Sequence, residues 1–391
     1  MSFSFFGKVI RMSVFVVVLI FFGGVAGVFA DRVLLPKIAA HSLLSRFDFF
    51  ENVNENTVII NKTEQIIVKE DDSVDATALK ASPSVVNILS VKRTGSVIEK
   101  VGKLPMDQSG ILQGSGVLVT NDGLIATFRG ALLEDASYTV FLYNGMSYPA
   151  SLSAIDSLTG LAYLKIEASN LPSISFISPA DIRAGKKLIL IANTSEEYRN
   201  RYSTALLGNT DKSFNIAGGP VASSERWEGV LMVDAANMNP YLGGPAIDYR
   251  GDLVGIVGNV LVDGNWEFFL LPAGAVRDSI ERAVRGTLGN RPTLGISYLS
   301  ITKAYAIANG IDRDRGALVY SPSGKQGLAV LSGSPADKAG IRVGDIVIAV
   351  DGKEINLDNP LSVAIGNRDK GDSTTLRIFR DGIEKDIFVG I

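Results

Sequence analysis

The chain has 391 residues, of which 46% are hydrophobic and 20% are charged, and its formal net charge at pH 7 is −3. This length accommodates two or three domains, and the near-neutral charge without a basic stripe gives no reason to expect nucleic acid as a partner. The absence of cysteine excludes disulfides and thiolate metal sites, and a single histidine, His41, argues against a zinc site. We therefore expect no cofactor and no metal.

The first predicted element is an apolar helix at the N-terminus. Residues 12–30 carry no charge, and Lys8 and Arg11 precede them. At about 1.5 Å per residue a helix of this length spans roughly 28 Å, which is close to the hydrocarbon thickness of a bilayer. A transmembrane anchor over residues 1–31 is therefore predicted, with a signal peptide cleaved after Ala30 as the alternative. Either one places the bulk of the chain on the extracytoplasmic side of the cell membrane if the N-terminus stays in the cytoplasm.

Residues 32–80 are predicted to form a stalk or linker. The stretches 52–56 and 69–73 are polar and charged, and only short β-like runs lie between them. Such a composition favours a connecting segment over a domain with its own core.

From residue 81 to residue 286 the sequence predicts a β-rich domain. Short apolar runs separated by Gly, Asn and Asp are typical of a sandwich or barrel rather than a parallel α/β sheet. The runs are 85–88, 116–119, 139–142, 161–166, 187–191, 229–233, 253–257 and 268–271. A helix is predicted over residues 273–284, because Val276, Ile280 and Val284 repeat on one helical face. A linker over 286–292 then leads to a second domain, residues 291–391.

Three motifs lie within the β-rich domain. Residues 114–127 read Gly-Ser-Gly-Val-Leu-Val-Thr-Asn-Asp-Gly-Leu-Ile-Ala-Thr, residues 156–166 read Asp-Ser-Leu-Thr-Gly-Leu-Ala-Tyr-Leu-Lys-Ile, and residues 234–245 read Asp-Ala-Ala-Asn-Met-Asn-Pro-Tyr-Leu-Gly-Gly-Pro. They resemble the segments around the base, the orienting aspartate and the nucleophile of the HtrA/Deg family of trypsin-like serine proteases. The resemblance implies a mainly-β protein, with a chymotrypsin/trypsin-like double β-barrel followed by a PDZ domain.

The positions that carry the catalytic triad in that family hold other residues here. The resemblance places Gly130 at the position of the histidine, Gly160 at that of the aspartate and Leu242 at that of the serine. Glycine and leucine side chains can neither accept a proton nor attack a carbonyl. Pro240 stands at the position of an oxyanion-hole donor, and proline has no N–H. We therefore expect no catalytic residues at these positions and a chain that is not an enzyme.

Residues 291–391 resemble the PDZ domain that is attached to these proteases. Residues 333–352 carry the resemblance and predict a helix over 335–339, a strand over 345–350 and a turn at Asp351-Gly352. Peptide capture in such a domain is strand addition, with the terminal carboxylate on the backbone N–H groups of a loop. The predicted peptide-binding residues are Thr293, Leu294, Gly295, Ile296, Leu361 and Ile365. Residues 320–326 look like an inserted hairpin that would either cover this groove or lie on the far side of the domain.

These features together predict a membrane-tethered HtrA-like pseudoprotease that binds peptide C-termini or unfolded exported proteins as a scaffold, adaptor or holdase. Two alternatives stay open. One is an active serine endopeptidase of envelope protein quality control that uses unrecognised groups, and the other is a structural or regulatory subunit of an envelope assembly. The resemblance also implies a homotrimer, or a mixed oligomer with an active paralogue, and no nucleic-acid partner is expected.

Overall fold

The computed structural model describes residues 3–30, 74–92, 110–194, 199–218 and 221–391. The chain divides into two compact units, Met1–Ser73 and Val74–Ile391. In the first unit, helix α1 extends over Phe3–Phe29. When only the described residues are considered, no helix is both long enough and apolar enough to cross a membrane, so the predicted transmembrane anchor is not supported.

Most of the predicted stalk, residues 32–73, lies outside the described residues. Its last part is helical and belongs to the second unit, in which helix α2 covers residues 74–81. The Thr77 hydroxyl donates a hydrogen bond to the Tyr249 carbonyl oxygen at 2.8 Å. This contact ties α2 to the second barrel of the β-rich domain.

The first barrel is built from strands of the N-terminal half of the β-rich domain. They are β1 Val85–Lys92, β2 Ile111–Leu118, β3 Leu124–Phe128, β4 Ala136–Phe141, β5 Ser147–Ile155 and β6 Leu161–Ile166. The strands close in the order β1-β2-β3-β6-β5-β4. Apolar side chains such as Ile88, Leu118, Ile125 and Leu164 fill its interior and are fully buried.

The second barrel contains β7 Ser175–Phe176, β8 Lys187–Thr194, β9 Arg199–Asn215, β11 Glu228–Asp234, β12 Pro245–Ile247, β13 Asp252–Val262 and β14 Asn265–Pro272. Its strand order is β12-β8-β9-β11-β14-β13-β7, and an additional pairing between β12 and β13 closes it. Helix α3, Ala273–Arg285, follows and ends at Gly286, whose φ of 69° provides the left-handed C-cap.

The C-terminal domain contains β15 Ser297–Ser300, α4 Lys303–Asn309, β16 Ala317–Val319, α5 Gln326–Ala329, α6 Pro335–Lys338, β17 Ile346–Val350, β18 Lys353–Glu354, α7 Leu361–Gly366, β19 Ser373–Arg380 and β20 Ile383–Gly390. Its sheet runs in the order β15-β16-β17-β19-β20, with β18 on β17. At the edge of this sheet, β15 also pairs with β10, Ala222–Ser223, which comes from the β-rich domain.

The predicted mainly-β architecture, a double β-barrel followed by a second domain, is confirmed. The turn at Asp351-Gly352 adopts φ angles of 47° and 77°, the left-handed pair that a two-residue hairpin requires. The insertion at 320–326 is not the predicted hairpin. It is a tight turn, closed by a hydrogen bond from Gly324 N to the Ser321 carbonyl oxygen, that leads into α5. The Gln326 side chain binds the Ile341 carbonyl oxygen and the Val343 N–H, which holds the insertion against that loop.

Candidate functional site

The segments that carry positions 130, 160 and 242 lie against one another. Directly after β3, Arg129 N donates to the Gly160 carbonyl oxygen at 2.9 Å. The Ser115 N–H of β2 donates to the Leu242 carbonyl oxygen at 3.2 Å. A Cβ built on Gly243 would lie 2.9 Å from the Ala131 Cβ. The structure therefore brings together the three positions that the resemblance groups as a triad.

An aromatic ring fills the space beside position 160. Phe128 is 5% exposed and packs edge-on against Phe269, with ring centroids 5.8 Å apart. A Cβ on Gly160 would lie 2.9 Å from the Phe128 ring, and Gly160 has a φ of 74°. A larger residue at 160 would therefore clash with the Phe128 ring and adopt a strained backbone conformation. Phe128 directly follows the motif 114–127, and sequence reasoning did not use its aromatic side chain as a signal.

The side chain of Asn259, on β13, covers Gly130. A Cβ on Gly130 would lie 2.6 Å from Asn259 Oδ1. Asn259 is half-buried and comes from a part of the sequence that none of the motifs includes. Sequence reasoning missed it, because only the packing of the second barrel on the first brings β13 to this point.

The backbone N–H groups of the turn around Leu242 are all hydrogen-bonded to carbonyl oxygens. The N–H groups of Leu242, Gly243 and Gly244 donate to the carbonyl oxygens of Asn239, Val257 and Tyr241, at 3.3, 2.9 and 2.8 Å. Pro240 lies in the 3₁₀ turn Asn239–Tyr241 and has no N–H. The Leu242 side chain packs against the apolar core between the barrels.

A buried ion pair joins the β-rich domain to the segment before the PDZ domain. Arg291 Nη2 and Nε contact the two carboxylate oxygens of Asp156 at 2.7 and 3.2 Å. The Ser279 hydroxyl donates to Asp156 Oδ2 at 2.6 Å. Burial alone would raise the pKa of Asp156, but the hydrogen bonds and charge of Arg291 outweigh it, and the net pKa lies below the usual value. The predicted linker is thus a fixed junction.

The predicted peptide-binding residues form one cluster, with one exception. Leu294, Ile296, Leu361 and Ile365 are at most 1% exposed and belong to the same apolar core. Gly295 has a φ of 80°, and a Cβ on it would lie 2.7 Å from Ser334 Oγ, so this position requires glycine. Thr293 is exposed at the start of the loop.

The loop already holds a carboxylate from the same chain. Leu294 N and Gly295 N donate to Glu225 Oε1 at 2.9 and 2.8 Å. Ile296 N donates to the Ser224 hydroxyl at 3.0 Å. Sequence reasoning did not find Ser224 or Glu225, because no local pattern relates them to a loop in another domain.

The carboxyl group of Glu228 is buried beside β15 of the C-terminal domain. Glu228 is 2% exposed and accepts a hydrogen bond from the Tyr298 hydroxyl at 2.8 Å. Burial raises the pKa of Glu228 to about 7, against the opposing effect of its hydrogen bonds with Ser300 and Tyr298. The Tyr298 hydroxyl also accepts from Ser362 N at 3.1 Å and so links Glu228 to α7.

Comparison with known proteins gives two family matches and many relatives. A trypsin-like peptidase domain matches residues 114–256, and a PDZ domain matches residues 292–391. The chain is 28% identical over 280 residues to a probable periplasmic serine endoprotease DegP-like of Bartonella henselae, covering 71% of this chain and 52% of the relative. It is 26% identical over 347 residues to the DegP-like protein of Hahella chejuensis, covering 82% and 70%. The chain spans about half the length of most of the curated relatives it matches.

Solved structures with the same fold include an HtrA-type protease and a serine endoprotease. The protease AlgW with a tripeptide superposes with a TM-score of 0.61 at 21% identity, covering 80% of this chain and 95% of that chain. The serine endoprotease from Yersinia pestis superposes with a TM-score of 0.53 at 22% identity, covering 81% and 96%. At this level of identity the likeness shows the fold alone.

These comparisons contradict the prediction that this chain is not an enzyme. The relatives are named serine endoproteases, and nothing positive in the described residues shows that this chain is inactive. The prediction was wrong because Gly130, Gly160 and Leu242 show only that these three side chains supply no base and no nucleophile. They do not exclude chemistry by other groups.

Proposed function

Because the chain belongs to the HtrA-type family, with a trypsin-like peptidase domain followed by a PDZ domain, we propose that its PDZ domain binds the C-termini of exported or unfolded polypeptides in protein quality control. The single observation that carries this proposal is the loop Leu294–Ile296, whose three N–H groups point at one carboxylate and its neighbouring hydroxyl. PDZ domains capture a terminal carboxylate on the backbone N–H groups of such a loop, at the end of a sheet strand.

The proposal extends to location and role. The relatives are named periplasmic, which supports an extracytoplasmic location for the bulk of this chain. A domain that holds polypeptide C-termini there would retain or present client proteins, as a scaffold, adaptor or holdase does. A homotrimer or a mixed oligomer with a paralogue would let several PDZ domains hold one client at once.

Fluorescence anisotropy with labelled peptides tests the proposal. A peptide that ends in Ala-Ser-Val with a free α-carboxylate is expected to bind the full chain, whereas its C-terminal amide is not. Gly295→Trp should abolish binding, because the side chain would collide with Ser334. Gly327→Trp is the matched control, since a side chain at 327 enters open space in the same domain. Equal affinity for the acid and the amide would refute the proposal.

Serine endopeptidase activity is the second candidate, and the names of the relatives favour it. Cleavage of casein by the purified chain that disappears on a single Ser→Ala substitution would establish it and identify the nucleophile. Ser115 is the first serine to replace, because its backbone contacts Leu242, and exposed Ser151 is the control. Absence of cleavage by the purified chain would refute this candidate.

A further inference from the structure

A segment of the trypsin-like domain lies along the peptide-binding edge of the PDZ domain. β10 pairs antiparallel with β15, with Ala222 opposite Tyr298 and Ser223 opposite Ser297. Ser224 N then donates to the Ile296 carbonyl oxygen at 2.9 Å. The segment runs toward the loop Leu294–Ile296 in the direction that a bound peptide takes when its C-terminus reaches that loop.

The side chain of Glu225 takes the place of a terminal carboxylate. Its Oε1 accepts the N–H groups of Leu294 and Gly295, and Ser224 Oγ accepts the third N–H, that of Ile296. The hydroxyl groups of Ser224 and Ser223 donate to Oε1 and Oε2 of Glu225 at 2.7 and 2.9 Å. Each N–H of the loop is therefore satisfied from within the chain, and both carboxylate oxygens are held.

We propose that residues 222–225 are an internal ligand of the PDZ groove, which an incoming peptide C-terminus must displace. The inference rests on the proposed function of this groove. Two independent features support it, namely strand pairing in the direction of a ligand and a carboxylate on the carboxylate-binding loop. A contact that served only to dock the two domains would need neither. Ala222 and Ser224 are at most 2% exposed, so the segment also excludes water from the groove.

The residues directly after this segment contact the turn that precedes position 160. Directly after Glu225, Arg226 Nη1 donates to the Ser157 carbonyl oxygen at 2.7 Å. Trp227 N donates to the Leu158 carbonyl oxygen, also at 2.7 Å. Leu158 in turn packs against Gly366 of α7, the other wall of the groove. The residues that follow 222–225 are therefore anchored to the turn that ends at Gly160.

Glu225→Gln tests the internal ligand in the full chain. Glutamine keeps the size of the side chain but removes the negative charge that strengthens its hydrogen bonds to the loop. The labelled free-acid peptide is therefore expected to bind this variant about tenfold more tightly than the native chain. Glu267→Gln, at an exposed position on β14, is the matched control and should leave the affinity unchanged. Denaturation midpoints of both variants establish that they are folded.

The outcomes separate this inference from the proposed function. Acid-selective binding with equal affinity in the native chain and in Glu225→Gln refutes the internal ligand and leaves the proposed function intact. Absence of acid-selective binding in both chains refutes the proposed function. In that case amide hydrogen exchange tests the internal ligand without a peptide. Exchange at Leu294 and Gly295 that is at least tenfold faster in Glu225→Gln than in the native chain supports the internal ligand, whereas unchanged protection refutes it.

The fluorescence of Trp227, which directly follows this segment, provides a readout of its displacement. The Trp227 indole N–H donates to the Gly229 carbonyl oxygen, and Trp266, the only other tryptophan in the sequence, is exposed. In a Trp266→Phe background, saturating free-acid peptide is expected to shift the Trp227 emission, and the amide peptide is not. An unchanged emission at saturation would refute the displacement of this segment.

Discussion

Replacement of Arg291 by methionine is expected to lower the free energy of unfolding by about 3–5 kcal/mol at pH 7, because it leaves a buried carboxylate without its partner. Asp156 is 0% exposed and Arg291 is 7% exposed. Arg291 also donates to the Gly366 carbonyl oxygen at 2.7 Å, so the substitution removes a bridge to α7 as well. The remaining donors to Asp156, Ser279 and Leu158 N, are neutral and do not replace the lost charge.

The pH dependence of this loss has a definite sign. The pKa of folded Asp156 lies below its ordinary value of 3.8, so the ion pair stabilises the protein above that pH. Its contribution is lost as the pH falls through the folded pKa, where the carboxylate becomes protonated in both states. The difference between the native chain and Arg291→Met should therefore shrink in acid.

Urea denaturation followed by circular dichroism measures these effects. The double variant with Asp156→Asn should recover part of the loss, because it no longer buries an unpaired charge. Arg285→Met is the control, since its ion pair with Glu281 is exposed and should contribute about 0.5 kcal/mol or less. A loss below about 1 kcal/mol for Arg291→Met, or single losses that simply add in the double variant, would refute the reasoning.

Two further predictions concern stability. Gly243→Ala should lower the free energy of unfolding by about 3 kcal/mol, because the new Cβ would collide with Thr127 Oγ1. Gly264→Ala is the control, since Gly264 has a similar positive φ but lies in open space, and it should lower the free energy of unfolding by only about 1 kcal/mol. Equal shifts of the urea midpoint in the two variants would contradict this explanation. Because the folded pKa of Glu228 is raised to about 7 from 4.5, the native chain should lose stability as the pH rises between these values. The free energy of unfolding of Glu228→Gln, relative to that of the native chain, should therefore rise by about 3 kcal/mol between pH 4 and pH 8. Parallel pH profiles of the two proteins would contradict the raised pKa of Glu228.

Elements that depend on neighbouring residues could be predicted from the sequence. The apolar runs predicted at 161–166 and 187–191 lie within β6 and β8, because alternation and turn residues act within a few positions. The turn at Asp351-Gly352 and the end of α3 at Gly286 were likewise predictable, because a left-handed backbone favours glycine. The motifs also placed Gly130, Gly160 and Leu242 at one site, but only through their resemblance to a known family.

Tertiary structure alone decided what surrounds these positions. Phe128 fills the space beside Gly160, Arg291 is buried in what the sequence marked as a linker, and Glu225 occupies the loop of another domain. None of these contacts corresponds to a periodic pattern in the sequence from which it could have been predicted. They arise because two barrels and a PDZ domain pack together and because a buried charge must find a partner wherever the fold supplies one.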